Sequence, residues 1–178
     1  LSLIYSFVSS LYHFSYDLGF RKAYRPKIKT IVIGNLTWGG TGKTPVVAEV
    51  VRHFLSQGKK VAIVSRSYKG RMVAPALVDT SKSSASIWGD EAFLLKKLFP
   101  DVAVVVGQRK VECIRWIEKN APCDVIVVDD GLQHRALHGH FYITLLDTSV
   151  PQVEYRWAPL GKMRETWSGL HRTSVVIF

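Results

Sequence analysis

The stretch Thr37-Trp-Gly-Gly-Thr-Gly-Lys-Thr44 decides how the rest of the chain is read. A loop that wraps a phosphate needs glycines, so that successive backbone N–H groups can converge on one anion. It also needs a lysine to reach the β- and γ-phosphates and a Ser or Thr hydroxyl for Mg2+. Gly39, Gly40, Thr41, Gly42, Lys43 and Thr44 supply these parts in order, and the strict pattern G-x-x-x-x-G-K-[ST] fails at its first position, where Thr37 replaces glycine. Just upstream, Lys29-Thr-Ile-Val-Ile-Gly34 is a β-branched run that reads as a buried strand. Just downstream, Pro45 suits the first turn of a helix, and Val46, Val47, Val50, Val51, Phe54 and Leu55 repeat with helical period up to Gly58. Strand, glycine-rich turn and helix in this order put the anion at a helix N-terminus, where the peptide dipoles favour it.

Working outward, further apolar runs alternate with helical patterns. Strands are expected at Val61–Val64, weakly at Ala76–Val78, and at Val102–Val106, Asp124–Asp129, Phe141–Leu146 and Ser174–Phe178. Helices are expected from Asp90, as a cap, to Phe99 and from Arg109 to Lys119, and Ser81–Ser86 reads as a surface loop. Strands apolar on both faces that alternate with helices imply a mainly parallel sheet covered on both sides. The expected fold is therefore an α/β P-loop nucleotide-binding domain over residues 29–178. A length of 178 residues fits one such domain.

Composition narrows the partners. Hydrophobic residues make up 47% and charged residues 21%, which excludes wholesale disorder. The net charge of +10 points to an anionic partner: phosphate ligands, nucleic acid or an anionic membrane face. Cys113 and Cys123 form no C-x-x-C pair and sit near no histidine at metal spacing, so a disulfide scaffold and a zinc site are not expected. Residues 1–28 read as a separate amphipathic segment. Leu3, Ile4, Phe7, Val8, Leu11, Phe14 and Leu18 form one apolar stripe, and Arg21, Lys22, Arg25, Lys27 and Lys29 follow it. Two readings stay open: an interfacial membrane anchor, or a helix packed on the domain's own core.

Three more motifs carry chemistry. The strand into Asp129-Asp130 matches the metal-side strand of nucleotide-binding domains, and Gly131-Leu-Gln-His134 brings an amide and an imidazole, Gln133 and His134, to the carboxyl edge of the sheet. Asp90 and Glu91 are adjacent acids at a helix start, readable as a cap or as catalytic groups. The basic loop from Ser65 to Arg71, with Arg66 and Tyr68, is either a solvated loop or a contact for an anionic substrate.

Taken as a set, these residues resemble the tetraacyldisaccharide 4′-kinases, the lipid A 4′-kinases of Gram-negative bacteria. The match runs through Ile33–Pro45, Ser65-Arg66 with Tyr68, Gly89-Asp-Glu91, Val106-Gly107 with Arg109, Asp129–His134 and the segment Arg156–Glu165. Ser67, Ala92, Lys162 and Thr166 depart from the family pattern. The resemblance implies transfer of the γ-phosphate of ATP to the 4′-hydroxyl of a lipid disaccharide 1-phosphate at the cytoplasmic face of the inner membrane. It implies Lys43 on the β/γ-phosphates, and Thr44, Asp129, Asp130 and Glu165 around Mg2+. Asp90 would be the acid–base carboxylate with Glu91 beside it, and Arg66, Tyr68, Gln133, His134 and Arg164 would face the substrate. Family members continue into a second α/β domain beyond the position of Phe178, so these 178 residues alone are expected to be nearly inactive. Of the anionic partners, nucleic acid becomes the least expected. The rival readings are another P-loop ATPase, acting as a switch or on a different acceptor, and a non-catalytic binding module.

Overall fold

The computed structural model describes residues 16, 18, 20–39, 42–67, 72–81, 84–149, 151, 154–156, 160–165 and 167–178. The apolar stripe expected over residues 3–18 lies almost wholly outside them. The described elements are β1 (Lys29–Asn35), α1 (Lys43–Ser56), β2 (Val61–Ser65), β3 (Ala76–Leu77), α2 (Ala85–Trp88), α3 (Asp90–Leu98), β4 (Ala103–Val106), α4 (Lys110–Asn120), β5 (Val125–Val128), β6 (Phe141–Leu145) and β7 (Val175–Ile177), with a 3-10 helix at Trp167–Arg172 before β7.

One seven-stranded sheet runs in the order β3-β4-β2-β5-β1-β6-β7. Every pairing is parallel except that of the short edge strand β3, which meets β4 antiparallel. The alternation of a strand explains the two layers that cover the sheet. In β5, Val125 and Val127 face α1 and α3, packing near Val47, Val51 and Leu95. Ile126 and Val128 face the other way, toward Cys113, Ile114 and Ile117 of α4. Both sets are buried, which is why the run reads as continuously apolar, and each such side chain contributes roughly 1.5–3 kcal/mol by leaving water.

Two expectations shift. Asp90 does not cap α3: Gly89 holds the cap position at φ 91°, and Asp90 is the first helical residue. The reason is the preceding short helix, because α2 ends directly at Gly89 and the chain must reverse through a positive φ that glycine takes without strain. The serine-rich stretch expected as a loop also runs into that helix, since Ala85 and Ser86 open α2. Among the described residues, no helix is long and apolar enough to cross a membrane.

Candidate active site

Three chain segments meet at the carboxyl edge of the sheet: the turn after β1, the turn after β5, and residues 162–165. Parallel pairing of β1 with β5, Val32 opposite Val128, brings the two turns side by side. The Gly131 N–H donates to the Ile33 carbonyl at 2.9 Å, and Gln133 Nε2 donates to the Asn35 carbonyl at 2.8 Å. The approach is so close that a Cβ on Gly34 would lie 2.6 Å from Leu132 Cβ. The third segment clips onto the phosphate loop as a short antiparallel bridge, Thr37 to Met163. Trp38 N donates to the Lys162 carbonyl at 2.6 Å and Arg164 N to the Leu36 carbonyl at 2.7 Å. Leu36, Leu132, Leu146 and Met163 fill the space beneath these turns.

Charges converge where the segments meet. Arg164 forks onto Asp130, with Nη2 to Oδ1 at 2.6 Å and Nη1 to Oδ2 at 3.2 Å. Its Nη2 also donates to Asn35 Oδ1 at 2.6 Å, and its guanidinium lies 5.2 Å from the centre of the Trp38 ring. Lys43 Nζ donates to the same Asn35 oxygen at 3.3 Å and stands 3.8 Å from Asp130 Oδ1. Burial alone would push the Asp130 carboxyl up. The hydrogen bonds and charge of Arg164, with Lys43 and Lys110 behind, reverse this and hold it at about 2. Asp130 also adopts φ 50°, a left-handed backbone that a non-glycine residue rarely takes.

Asp129 is 1% exposed. Its Oδ2 accepts from Ser65 Oγ at 3.1 Å, and its main-chain oxygen accepts from Lys110 Nζ. Its Oδ1 is buried with no hydrogen-bond partner among the described residues. Burial, against the pull of Lys110, raises its pKa. Glu91, half-buried, is raised by burial and then by Asp129, and it also feels Lys43 and Asp130. Lys110 is fully buried and its pKa is lowered by that burial. His134 is pushed down to about 4 by burial, with Lys110 and Arg66 adding to the effect, so its ring is neutral at physiological pH. Glu165 is buried and ion-paired to Arg172, whose Nη1 also donates to the Leu132 carbonyl at 2.9 Å.

The structure thus gathers Lys43, Glu91, Asp129, Asp130, Gln133, His134 and Arg164, with Arg66 close enough to influence His134. Gly39 and Gly42 bend the loop at φ 121° and 71°. Thr44 lies in the first turn of α1. Gly40, Thr41 and Tyr68 lie outside the described residues. Asp90 is exposed, and Glu91 is the acid that senses the lysine and the aspartates. Arg109, part of the family match, is a surface residue paired with Glu112 at 3.2 Å. Asn35, Lys110 and Arg172 were not singled out as site residues, and Ser65, expected in a loop that could meet substrate, instead bonds Asp129. For Lys110 a signal existed: Lys110, Cys113, Ile114 and Ile117 share the buried face of α4 at helical spacing.

The donor set suits a hard divalent cation. Asp129 offers a buried carboxylate oxygen with no other partner among the described residues, close to Asp130 and to the loop bearing Thr44. Among those residues no three His, Cys, Asp or Glu side chains form a ready cage. Mg2+ fits that sparseness, because it keeps several waters and is held by one or two carboxylates together with substrate phosphates.

A family profile described as Tetraacyldisaccharide-1-P 4′-kinase matches residues 1–178. The chain belongs to the tetraacyldisaccharide-1-P 4′-kinase family. It is 39% identical over 178 residues to the tetraacyldisaccharide 4′-kinase of Bdellovibrio bacteriovorus, covering 99% of this chain and 52% of that protein. It is 35% identical over 176 residues to the enzyme of the same name from Blochmanniella pennsylvanica, with the same coverage. The chain therefore spans about half the length of these relatives. A crystal structure of LpxK from Aquifex aeolicus in complex with ATP superposes with a TM-score of 0.88 at 31% identity, covering 98% of this chain and 55% of that one. The α/β fold with its mostly parallel sheet is thus shared with a 4′-kinase-family protein that binds ATP.

Proposed function

We propose that the protein is an ATP-dependent kinase that phosphorylates the 4′-hydroxyl of a tetraacyldisaccharide 1-phosphate, and that these 178 residues form its nucleotide-binding half. The observation that carries this reading is the approach of Lys43 to Asp130 where the phosphate loop abuts the end of β5, in a chain that belongs to the 4′-kinase family. The loop N–H groups and Lys43 would bind the β- and γ-phosphates. Asp129 and Asp130, with Thr44, would hold Mg2+, which supplies charge neutralisation along the phosphates when bound. Glu165, held by Arg172, would support that shell from behind. During transfer, a bond forms between the acceptor 4′-oxygen and the γ-phosphorus, and the bond from the γ-phosphorus to the β–γ bridging oxygen breaks. The hydroxyl proton passes to a carboxylate at the start of α3. Asp90, exposed at that helix start, is the acceptor implied by the family resemblance, with Glu91 behind it facing Lys43.

The partners follow from the substrate. A lipid disaccharide acceptor requires the protein to work at a membrane surface, here the cytoplasmic face of the bacterial inner membrane, with residues 1–28 as a peripheral anchor. Supporting this, Arg21, Lys22, Arg25, Arg135 and Arg172 line one pocket of about 780 Å³ beside the described part of that segment. The direct test is transfer of labelled γ-phosphate from ATP to a tetraacyldisaccharide 1-phosphate by the full-length protein. Lys43→Ala is expected to abolish product, and an undiminished rate in that variant would refute the assignment.

A further inference from the structure

Lys110 is a buried lysine that the family motifs do not account for. It is the first residue of α4, it is 1% exposed, and it ranks among the largest fully buried side chains of the molecule. An ammonium group out of water is unfavourable unless something specific compensates it. Here the compensation is the acid turn after β5. Lys110 Nζ donates to the main-chain oxygen of Asp129, and Asp129 and Asp130 are the acids whose charges favour its charged form, with Arg66 opposing.

That turn needs holding. The next residue, Asp130, sits at φ 50°, and such a backbone persists only where its surroundings impose it. Two grips are visible. Arg164 forks onto the Asp130 carboxylate, and Lys110, from α4, takes the Asp129 carbonyl. Because Lys110 binds the carbonyl, and Ser65 only one carboxylate oxygen, Asp129 Oδ1 is left without a protein partner among the described residues.

From this arrangement we infer that Lys110 is a positioning residue: it fixes the Asp129–Asp130 turn so that these carboxylates present their oxygens to a divalent cation. The inference rests on the kinase reading for its catalytic consequence and on geometry alone for its metal-binding consequence. A lysine acting only as a nearby positive charge predicts the opposite for metal, since removing a cation beside two carboxylates strengthens cation binding. A positioning lysine predicts weaker binding when it is lost.

The test uses Lys110→Met, which keeps the stem's volume and removes the ammonium group, with Lys110→Arg alongside. Removing one partner of a buried charge cluster leaves the acids and the Asp129 carbonyl uncompensated, so Lys110→Met is expected to lower the unfolding temperature; binding is therefore read well below that transition, and Lys110→Arg, which keeps the charge, serves as the folded control. Mn2+ binding to the full-length protein with a non-hydrolysable ATP analogue, followed by the electron paramagnetic resonance signal of free Mn2+, is expected to weaken about 10–100-fold in Lys110→Met, the range found when a supporting group behind a metal ligand is lost. In the kinase assay kcat should fall by about the same factor, with the KM for ATP nearly constant, and Lys110→Arg should recover part of both. Mn2+ binding that tightens or stays equal in Lys110→Met overturns the inference. Wild-type protein that binds Mn2+ and ATP but makes no phosphorylated disaccharide overturns the kinase reading instead and leaves the metal measurement to decide on Lys110.

Discussion

Asp130→Asn removes one charge at nearly constant shape, and the structure fixes what that charge does. The carboxylate accepts both arms of the Arg164 fork and stands 3.8 Å from Lys43, so its pKa falls from an ordinary 3.8 to about 2. A depression of that size corresponds to about 2 kcal/mol of stability, and the group is buried enough for little of it to be lost to solvent screening. One effect works the other way: Asp130 repels Asp129, whose raised pKa partly reflects it, so relieving that repulsion offsets part of the loss. The net expectation at pH 7 is about 1–2 kcal/mol, or about 2–8 °C in Tm for a domain of this size. The sign with pH follows from the depressed pKa. The stabilisation is fully present above 3.8 and is lost as pH falls toward about 2. Urea unfolding of wild type and Asp130→Asn, followed by circular dichroism at pH 7, 5, 4 and 3, should therefore show a gap that is constant down to about pH 4 and then narrows. Equal stability at pH 7, or a gap unchanged at pH 3, would refute the role assigned to the ion pair.

Two further outcomes test the neighbours of that pair. Gly34→Ala should cost about 1–3 kcal/mol and weaken ATP binding, because its Cβ would press to 2.6 Å from Leu132 Cβ and 3.0 Å from the Leu132 backbone nitrogen, forcing the two turns apart; unfolding and nucleotide titration measure this. Asp90→Asn should lower kcat about 10²–10⁴-fold if that carboxylate takes the hydroxyl proton. Glu91→Gln leaves Asp90 in place and should lower kcat less; an acid limb of the pH–rate profile that disappears in Glu91→Gln, whose carboxyl burial pushes up, and not in Asp90→Asn would move the proton acceptor to Glu91.

Much of this was legible in the sequence because its signals are local. The β-branched run 29–34, the glycines after it and the valine period of α1 each specify their own conformation, and the doubly apolar run in β5 could only be a central strand. The partners of the charged side chains were not legible, because they are set by pairing between distant segments. Arg164 meets Asp130 and Asn35 across separations of 34 and 129 residues, through a two-residue bridge that no periodicity announces. The pair Arg109-Lys110 shows the same limit at close range. Both are cations at a helix start, but helical phase turns the second inward with Cys113 and Ile117 and leaves the first in solvent beside Glu112.

Those distances also separate the cations that can meet a nucleotide from those that hold the protein. Arg164 is fixed by a fork on Asp130, a contact with Asn35, the ring of Trp38 and its own backbone bond to Leu36. Moving it to a substrate would break all of these, and charge-assisted forks are among the stronger hydrogen bonds. Among the described residues Lys43 has a 3.3 Å bond to Asn35 and a 3.8 Å approach to Asp130, both long for an ammonium group and weak in consequence. An incoming phosphate offers it a shorter, charged partner at little local cost. Asn35 and Asp130, when Lys43 leaves them, remain satisfied by Arg164. The arginine first expected to face substrate is thus better suited to keep the acid turn in place, and the lysine beside it is the group free to move.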